Sequence, residues 1–237
     1  MKLIKAYNNT DFLNSEDART VRILCEYLEP LARLRREGVS RAIVAFGSAR
    51  LRPQTADATE RDWFRQAAEL GERLARWTCE QHPHDQRYHL VTGGGPGIME
   101  AFHEGGAKVD RSLNIGMGIS LPHEQHGNPH LNARLGFEFH YFFMRKFWFM
   151  NLAKAFVVFP GGFGTLDELF EALTLMQVGK AVRMPLVLFG REYWDELLNL
   201  PALARRGLIS PDDLKLLHLV DSVDDAFERI TTELSTG

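Results

Sequence analysis

A short apolar run, a glycine-rich turn and an amphipathic helical pattern follow one another three times in this 237-residue chain, and that order constrains the fold most. Ala42 to Phe46 leads into Gly47-Ser48-Ala49-Arg50, and Phe64, Ala67, Leu70, Leu74 and Trp77 then recur at helical spacing. Tyr88 to Val91 leads into Thr92-Gly93-Gly94-Gly95-Pro96-Gly97 and a helix from about Ile98 to Lys108. Ala155 to Phe159 leads into Pro160-Gly161-Gly162-Phe163-Gly164 and a helix from Leu166 to Val178. Further apolar runs at Asn114 to Ile119, Leu186 to Phe189 and Leu216 to Val220 read as strands, and Val223 to Leu234 as a last helix. A first helix is marked by Val21, Leu24, Leu28, Leu31 and Leu34, with Ser15 and Asp17 as candidate caps and Gly38 as its stop. Uninterrupted apolar strands alternating with amphipathic helices specify an α/β fold, a doubly wound parallel sheet with helices on both faces. Ligands of such sheets bind beyond the carboxyl ends of the strands, so the three glycine turns are expected to line one crevice.

No linker of Ser, Pro or Gly divides the chain, and residues 1–237 are read as a single nucleotide-binding domain with an N-terminal helical extension over about 1–40. With 28 basic and 31 acidic residues the net charge is -3, which supplies no field for polymeric nucleic acid. Cys25 and Cys79 lack metal-ligand or CxxC spacing, so a reducing, cytoplasmic setting without a disulfide framework is expected. Met1 to Asn14 has no apolar leader core, and no run reaches the roughly eighteen apolar residues of a membrane span. A soluble, unprocessed chain is expected. Ser120 to Leu135 is polar and rich in Pro, His and Asn, the composition of a mobile flap or an interface loop. Phe137 to Met150 carries more aromatic residues than one element buries within its own domain, which points to packing on another copy and a homodimer or larger homo-oligomer.

The third turn carries the chemistry. Glycines at 161, 162 and 164 permit positive φ and remove Cβ atoms, so consecutive N–H groups can converge on a phosphate at a helix N-terminus, with Glu168 one turn inside. That position at a helix start favours an ionised Glu168 near neutral pH. Thr165-Leu166-Asp167-Glu168 also fits a capping box that only satisfies the helix's first N–H groups. In the second turn, Ile98 stands where a dinucleotide fingerprint counted from Gly93 needs its third glycine. Glu100 offers a second carboxylate there. Neither turn ends in the Gly-Lys-Ser/Thr of a nucleoside-triphosphate loop. Arg145-Lys146 reads equally as a pair of snorkelling cations beside aromatics or as a phosphate clamp. Ser48 and Arg50 are turn residues that could hold a phosphate or a base. His82, His84, His123, His126 and His130 read as solvated surface, and no metal or cofactor is expected.

The sequence Pro160-Gly161-Gly162-Phe163-Gly164-Thr165-Leu166-Asp167-Glu168, with Met144-Arg145-Lys146 ahead of it and Gly93 to Glu100 earlier, resembles the LOG family of cytokinin riboside 5′-monophosphate phosphoribohydrolases. These proteins are often labelled lysine decarboxylase-like. The resemblance spans about Ala42 to Phe189 and looks closest to the longer bacterial branch, given Gly-Pro-Gly-Ile-Met-Glu in the second turn and the added N-terminal and flap residues. It implies a Rossmann-like fold, assembly into dimers or larger oligomers, and cleavage of the N-glycosidic bond of a nucleoside 5′-monophosphate, AMP or an N6-substituted AMP, to base and ribose 5-phosphate. Carried over by motif, Glu168 and Arg145 are the catalytic pair and Gly161, Gly162, Gly164 and Thr165 the phosphate and ribose loop. Lys146, Ser48, Gly94, Gly95 and Glu100 complete the substrate contacts. The alternative from another class is a nucleotide-binding sensor that does not cleave its ligand. A pyridoxal-phosphate decarboxylase needs a lysine in a recognisable context, and neither Lys146 nor Lys154 has one.

Overall fold

The computed structural model describes residues 3–53, 62–121 and 126–236. In chain order the elements are α1 (Thr10–Asn14), α2 (Arg19–Arg36), β1 (Ala42–Phe46), α3 (Trp63–Gln81), β2 (His89–Thr92), α4 (Ile98–Asp110), β3 (Asn114–Ile119), β4 (Gly136–Phe139), α5 (Phe142–Leu152), β5 (Ala153–Val158), α6 (Phe163–Gln177), β6 (Leu186–Phe189), α7 (Arg191–Leu197), α8 (Leu200–Arg205), β7 (His218–Val220) and α9 (Val223–Thr236). The strands form one sheet in the order β4-β3-β2-β1-β5-β6-β7, every neighbouring pair parallel. This is the doubly wound, Rossmann-like architecture.

Alternation along β1 sets the two layers. Val44 and Phe46 enter a core with Trp148 and Phe149 of α5 and Leu169 and Met176 of α6. Ile43 and Ala45 enter a second core with α3, α4 and α9, including Leu70, Phe102 and Ile230. All five β1 residues are buried, as the middle of a sheet covered on both faces requires. Strand order reverses between β1 and β5, and there the carboxyl ends of two neighbouring strands diverge into turns on opposite sides. Phe159 N donates to Phe46 O at 2.9 Å and Ser48 N to Pro160 O at 3.0 Å, so the first and third glycine turns start side by side at that switch point.

Several expectations shift. The first helix begins at Arg19 with Ala18 as its cap and no side-chain cap bond, so neither Ser15 nor Asp17 caps it. Its stripe is only partly buried: Leu34 enters the core, while Val21, Leu24 and Leu28 remain exposed. Gly38 ends the helix at φ 71°, and Val39 N closes onto Leu34 O at 2.9 Å. The aromatic stretch splits into edge strand β4 and helix α5, whose Phe137, Phe139, Met144, Trp148 and Phe149 are buried and whose Phe142, Phe143 and Phe147 are exposed. Of the segment 120–135, the part from His126 onward is half exposed but tied to the sheet at points. Leu135 is buried, and Asn132 N donates to Asn114 O at 3.1 Å. His123 lies outside the described residues.

Candidate active site

The three glycine turns do meet. Ser48 joins them: its N–H donates to Pro160 O at 3.0 Å, and its C=O accepts from Ile98 N, at the start of α4, at 3.1 Å. Its hydroxyl accepts from Arg50 N at 3.1 Å and so shapes its own turn. Gly97, at φ 72°, lets α4 approach this turn; a Cβ there would overlap Ser48 O. The result is a cleft of about 1000 Å³ beyond the carboxyl ends of β1 and β5, walled by residues 46–51 and 160–168. Gly93 of the second turn and Met99 at the start of α4 also face it.

The third turn is built differently from the expectation. None of Gly161, Gly162 and Gly164 has a positive φ. Gly161 is needed for space, because a Cβ there would overlap Thr165 Oγ1 and lie 3.0 Å from Ser48 N. Gly162 and Gly164 face open space toward the cleft. Helix α6 starts at Phe163, three residues before the expected Leu166, with Gly162 as a cap that offers no side-chain acceptor. The capping-box reading therefore fails: Thr165 is the third helical residue and not the cap. Thr165 N turns back onto Gly162 O at 3.0 Å, so it is the N–H groups of Phe163 and Gly164 that are left for an external acceptor at the positive end of the helix.

Glu168 is the sixth residue of α6, beyond the first turn where a helix terminus exerts most of its effect. Among the described residues it is the one buried carboxylate, 6% exposed. Burial raises its pKa to about 7 even though Arg145 and Lys146 pull it down. The expectation of a fully ionised Glu168 at neutral pH is corrected accordingly: desolvation outweighs the pull of both cations.

Arg145 reaches the cleft from α5. Its guanidinium lies over the Phe149 ring at 5.2 Å, its Nε is buried without a hydrogen-bond partner, and burial lowers its pKa against the pull of Glu168 and Asp167. Gly93 makes room for it, since a Cβ there would stand 3.0 Å from Arg145 Nη2. Lys146 points elsewhere. Its Nζ binds Asp167 Oδ1 and Glu171 Oε2, both at 2.9 Å, tying α5 to α6 beside the cleft. Thr165 lines the cleft and is buried. Gly94, Gly95 and Glu100 do not line it: the two glycines are buried behind Gly93, and Glu100 stands half-exposed in the first turn of α4.

A buried network fixes that second turn from behind. Asn128 N donates to Gly94 O at 2.8 Å, and Asn128 Nδ2 lies 3.2 Å from Gly94 O and 3.1 Å from Gly95 O. Asn128 Nδ2 is also 3.2 Å from His103 Nδ1, and His103 Nε2 is 3.2 Å from Leu90 O. A carbonyl only accepts, so Nε2 carries the ring proton and Nδ1 accepts from the amide. Burial lowers the His103 pKa to about 4, so the ring stays neutral.

Sequence reasoning missed Tyr193, whose hydroxyl donates to Gly161 O at 2.6 Å and faces the cleft from α7. It also missed the apolar lip made by Trp63, Phe142 and Leu197. These residues belong to no motif; the one local signal was Gly190, at φ 93°, which opens α7. Among the described residues no group of three His, Cys, Asp or Glu side chains is arranged to hold a metal, and no helix is long and apolar enough to cross a membrane.

Comparison with known proteins agrees with this geometry. The family model described as "Possible lysine decarboxylase" matches residues 97–230. A cytokinin riboside 5′-monophosphate phosphoribohydrolase of Arabidopsis thaliana is 30% identical over 167 residues, covering 63% of this chain and 74% of that protein. A protein of the same description from Mycobacterium marinum is 36% identical over 85 residues, 35% of this chain and 46% of its own. The molybdenum cofactor binding protein from the phototrophic bacterium Rippkaea orientalis superimposes with a TM-score of 0.55 over 82% of this chain and 98% of that one, at 18% identity, a likeness of fold alone. With its sheet order, its Pro-Gly-Gly-Phe-Gly-Thr turn opening α6 and the family match over more than half its length, the chain belongs to the LOG family, the "possible lysine decarboxylase" proteins.

Proposed function

We propose that this chain is a nucleotide phosphoribohydrolase, cleaving the N-glycosidic bond of AMP or an N6-substituted AMP to free base and ribose 5-phosphate. The observation that carries it is a buried carboxylate, Glu168, set one and a half turns below open helix N–H groups and beside the cation of Arg145. The phosphate sits against the N–H groups of residues 162–164, where Gly162 and Gly164 leave space. Its ribose then lies over Glu168. Breaking the C–N bond develops positive charge on the sugar, and a carboxylate beneath it stabilises that charge only as it forms. Arg145 holds Glu168 toward its ionised form and meets the phosphate or sugar oxygens with a charge-assisted bond of roughly 1.5–3 kcal/mol. Water captures the ribosyl cation. The relatives' names support this reading.

The lysines do not suit pyridoxal chemistry: Lys146 Nζ is held by two carboxylates, and Lys154 lies on β5 outside the cleft lining. The reading is tested by product analysis on AMP and isopentenyladenosine monophosphate. Equal amounts of base and ribose 5-phosphate are expected from the wild type, with a loss of roughly 100-fold or more in kcat for Glu168→Gln. A nucleotide bound but intact after long incubation favours the sensor reading instead.

A further inference from the structure

We propose that Glu26, on helix α2 ahead of the sheet and outside the matched family region, is a positioning residue for Arg145. It acts by clamping α5 at two points. Helix α5 starts with Tyr141 as a cap that has no side-chain cap bond. Glu26 instead holds the two N–H groups just ahead of the helix from another element: Oε1 accepts from His140 N at 2.7 Å and Oε2 from Tyr141 N at 3.2 Å. A carboxylate there also meets the positive end of the helix. One turn on, Arg145 N bonds Tyr141 O at 3.2 Å, so the residue whose N–H Glu26 grips is the one onto which Arg145 is wound.

The second point comes from Pro30. In a regular helix the C=O of residue 26 accepts the N–H of residue 30, and proline has none. Glu26 O is therefore free, and it accepts Trp148 Nε1 at 2.9 Å. Trp148 is buried and follows Arg145 by three residues, on the adjoining turn of α5. Arg33 extends the same strap to β4, its Nη1 donating to Gly136 O at 2.8 Å. Nothing in this set touches the cleft. Its effect is to fix the axial position and rotation of α5, and with them where the Arg145 guanidinium lies over Phe149 relative to Glu168.

The catalytic consequence rests on the phosphoribohydrolase reading, whereas the clamp itself does not, and the test separates the two. Glu26→Ala, Glu26→Gln and, as a stability control in the opposite core, Ile230→Val are compared with wild type by amide hydrogen exchange and by steady-state kinetics on AMP and isopentenyladenosine monophosphate. Faster exchange at residues 140, 141 and 145 is expected in Glu26→Ala, to a smaller extent in Glu26→Gln and not in Ile230→Val, with a fall of about 10-fold or more in the kcat of Glu26→Ala and a KM within about 2-fold, since misplacement of a catalytic group lowers the rate more than the binding. Glu26→Gln keeps one oxygen for one of the two N–H groups and is expected to recover most of the rate. Unchanged exchange at these amides overturns the clamp whether or not the wild type cleaves a nucleotide. Faster exchange with a kcat no lower than that of Ile230→Val overturns the positioning role. Faster exchange in a wild-type background that releases no base upholds the clamp and refutes the functional reading alone.

Discussion

At the scale of single residues the site rests on an unfavourable burial. Glu168 keeps its proton up to about pH 7 in the folded chain, against 4.5 for an ordinary glutamate. The folded state thus binds more protons than the unfolded one between those values, and stability falls as pH rises through that window and stays lowered above it. Glu168→Gln has no proton to lose. It is expected to be more stable than wild type at pH 8 by on the order of 3 kcal/mol and equal to it near pH 4, as thermal unfolding across pH will show. The glycines separate by role in the same way. Gly161→Ala is expected to destabilise the fold by about 1–3 kcal/mol, because its Cβ runs into Thr165 and Ser48. Gly162→Ala has empty space around it and is expected to melt like wild type while raising KM for the nucleotide. An unchanged KM there would place the phosphate elsewhere. The identity of these residues was legible in the sequence, since Pro-Gly-Gly-Phe-Gly-Thr followed by Glu at that spacing is specific. The protonation of Glu168 was not, because it depends on how two layers of the fold bury the second turn of α6, which no local pattern states.

At the scale of elements, α5 and α6 bring Arg145 and Glu168 together, and Lys146 is the tie between them through Asp167 and Glu171. Cutting that tie with Lys146→Ala removes a cation that lowers the Glu168 pKa and frees two acids that raise it. The acid limb of the kcat/KM profile, expected near pH 7 in the wild type, should then move to higher pH. A profile that stays in place would detach the limb from Glu168. Helices with a clean apolar period and strands of continuous apolar residues were readable: β1, β3 and β6 have the bounds expected from sequence. Edge strand β4 was not, since the alternation of Phe137, Phe139 and Tyr141 runs straight into consecutive aromatics at 141–143 and 147–149, and neither period of 2 nor of 3.6 dominates the whole stretch. Helices α7 and α8 were missed because they are seven and six residues long, too short for an apolar period to show. With them went Tyr193 and Leu197 of the cleft wall.

At the scale of the molecule, the glycine turns converge because strand order reverses between β1 and β5, a consequence of topology that the repeated strand, turn and helix order already implied. The same scale holds the surplus apolar surface. Leu24 and Leu28 of α2 and Phe143 and Phe147 of α5 are exposed, and Tyr27 joins the two helices with its ring 5.6 Å from that of Phe147. We propose that a second copy of the chain covers this face. Light scattering at micromolar concentration is expected to give a dimer or larger for wild type and a smaller species for Leu28→Glu with Phe147→Glu; a monomeric wild type would refute it. The most direct test of the whole is a crystal structure of Glu168→Gln with AMP bound. The 5′-phosphate is expected against the N–H groups of residues 162–164, with the ribose within hydrogen-bond reach of the side chain at 168 and the Arg145 guanidinium beside both. A phosphate seated away from that turn, or a ribose out of reach of residue 168, would contradict it.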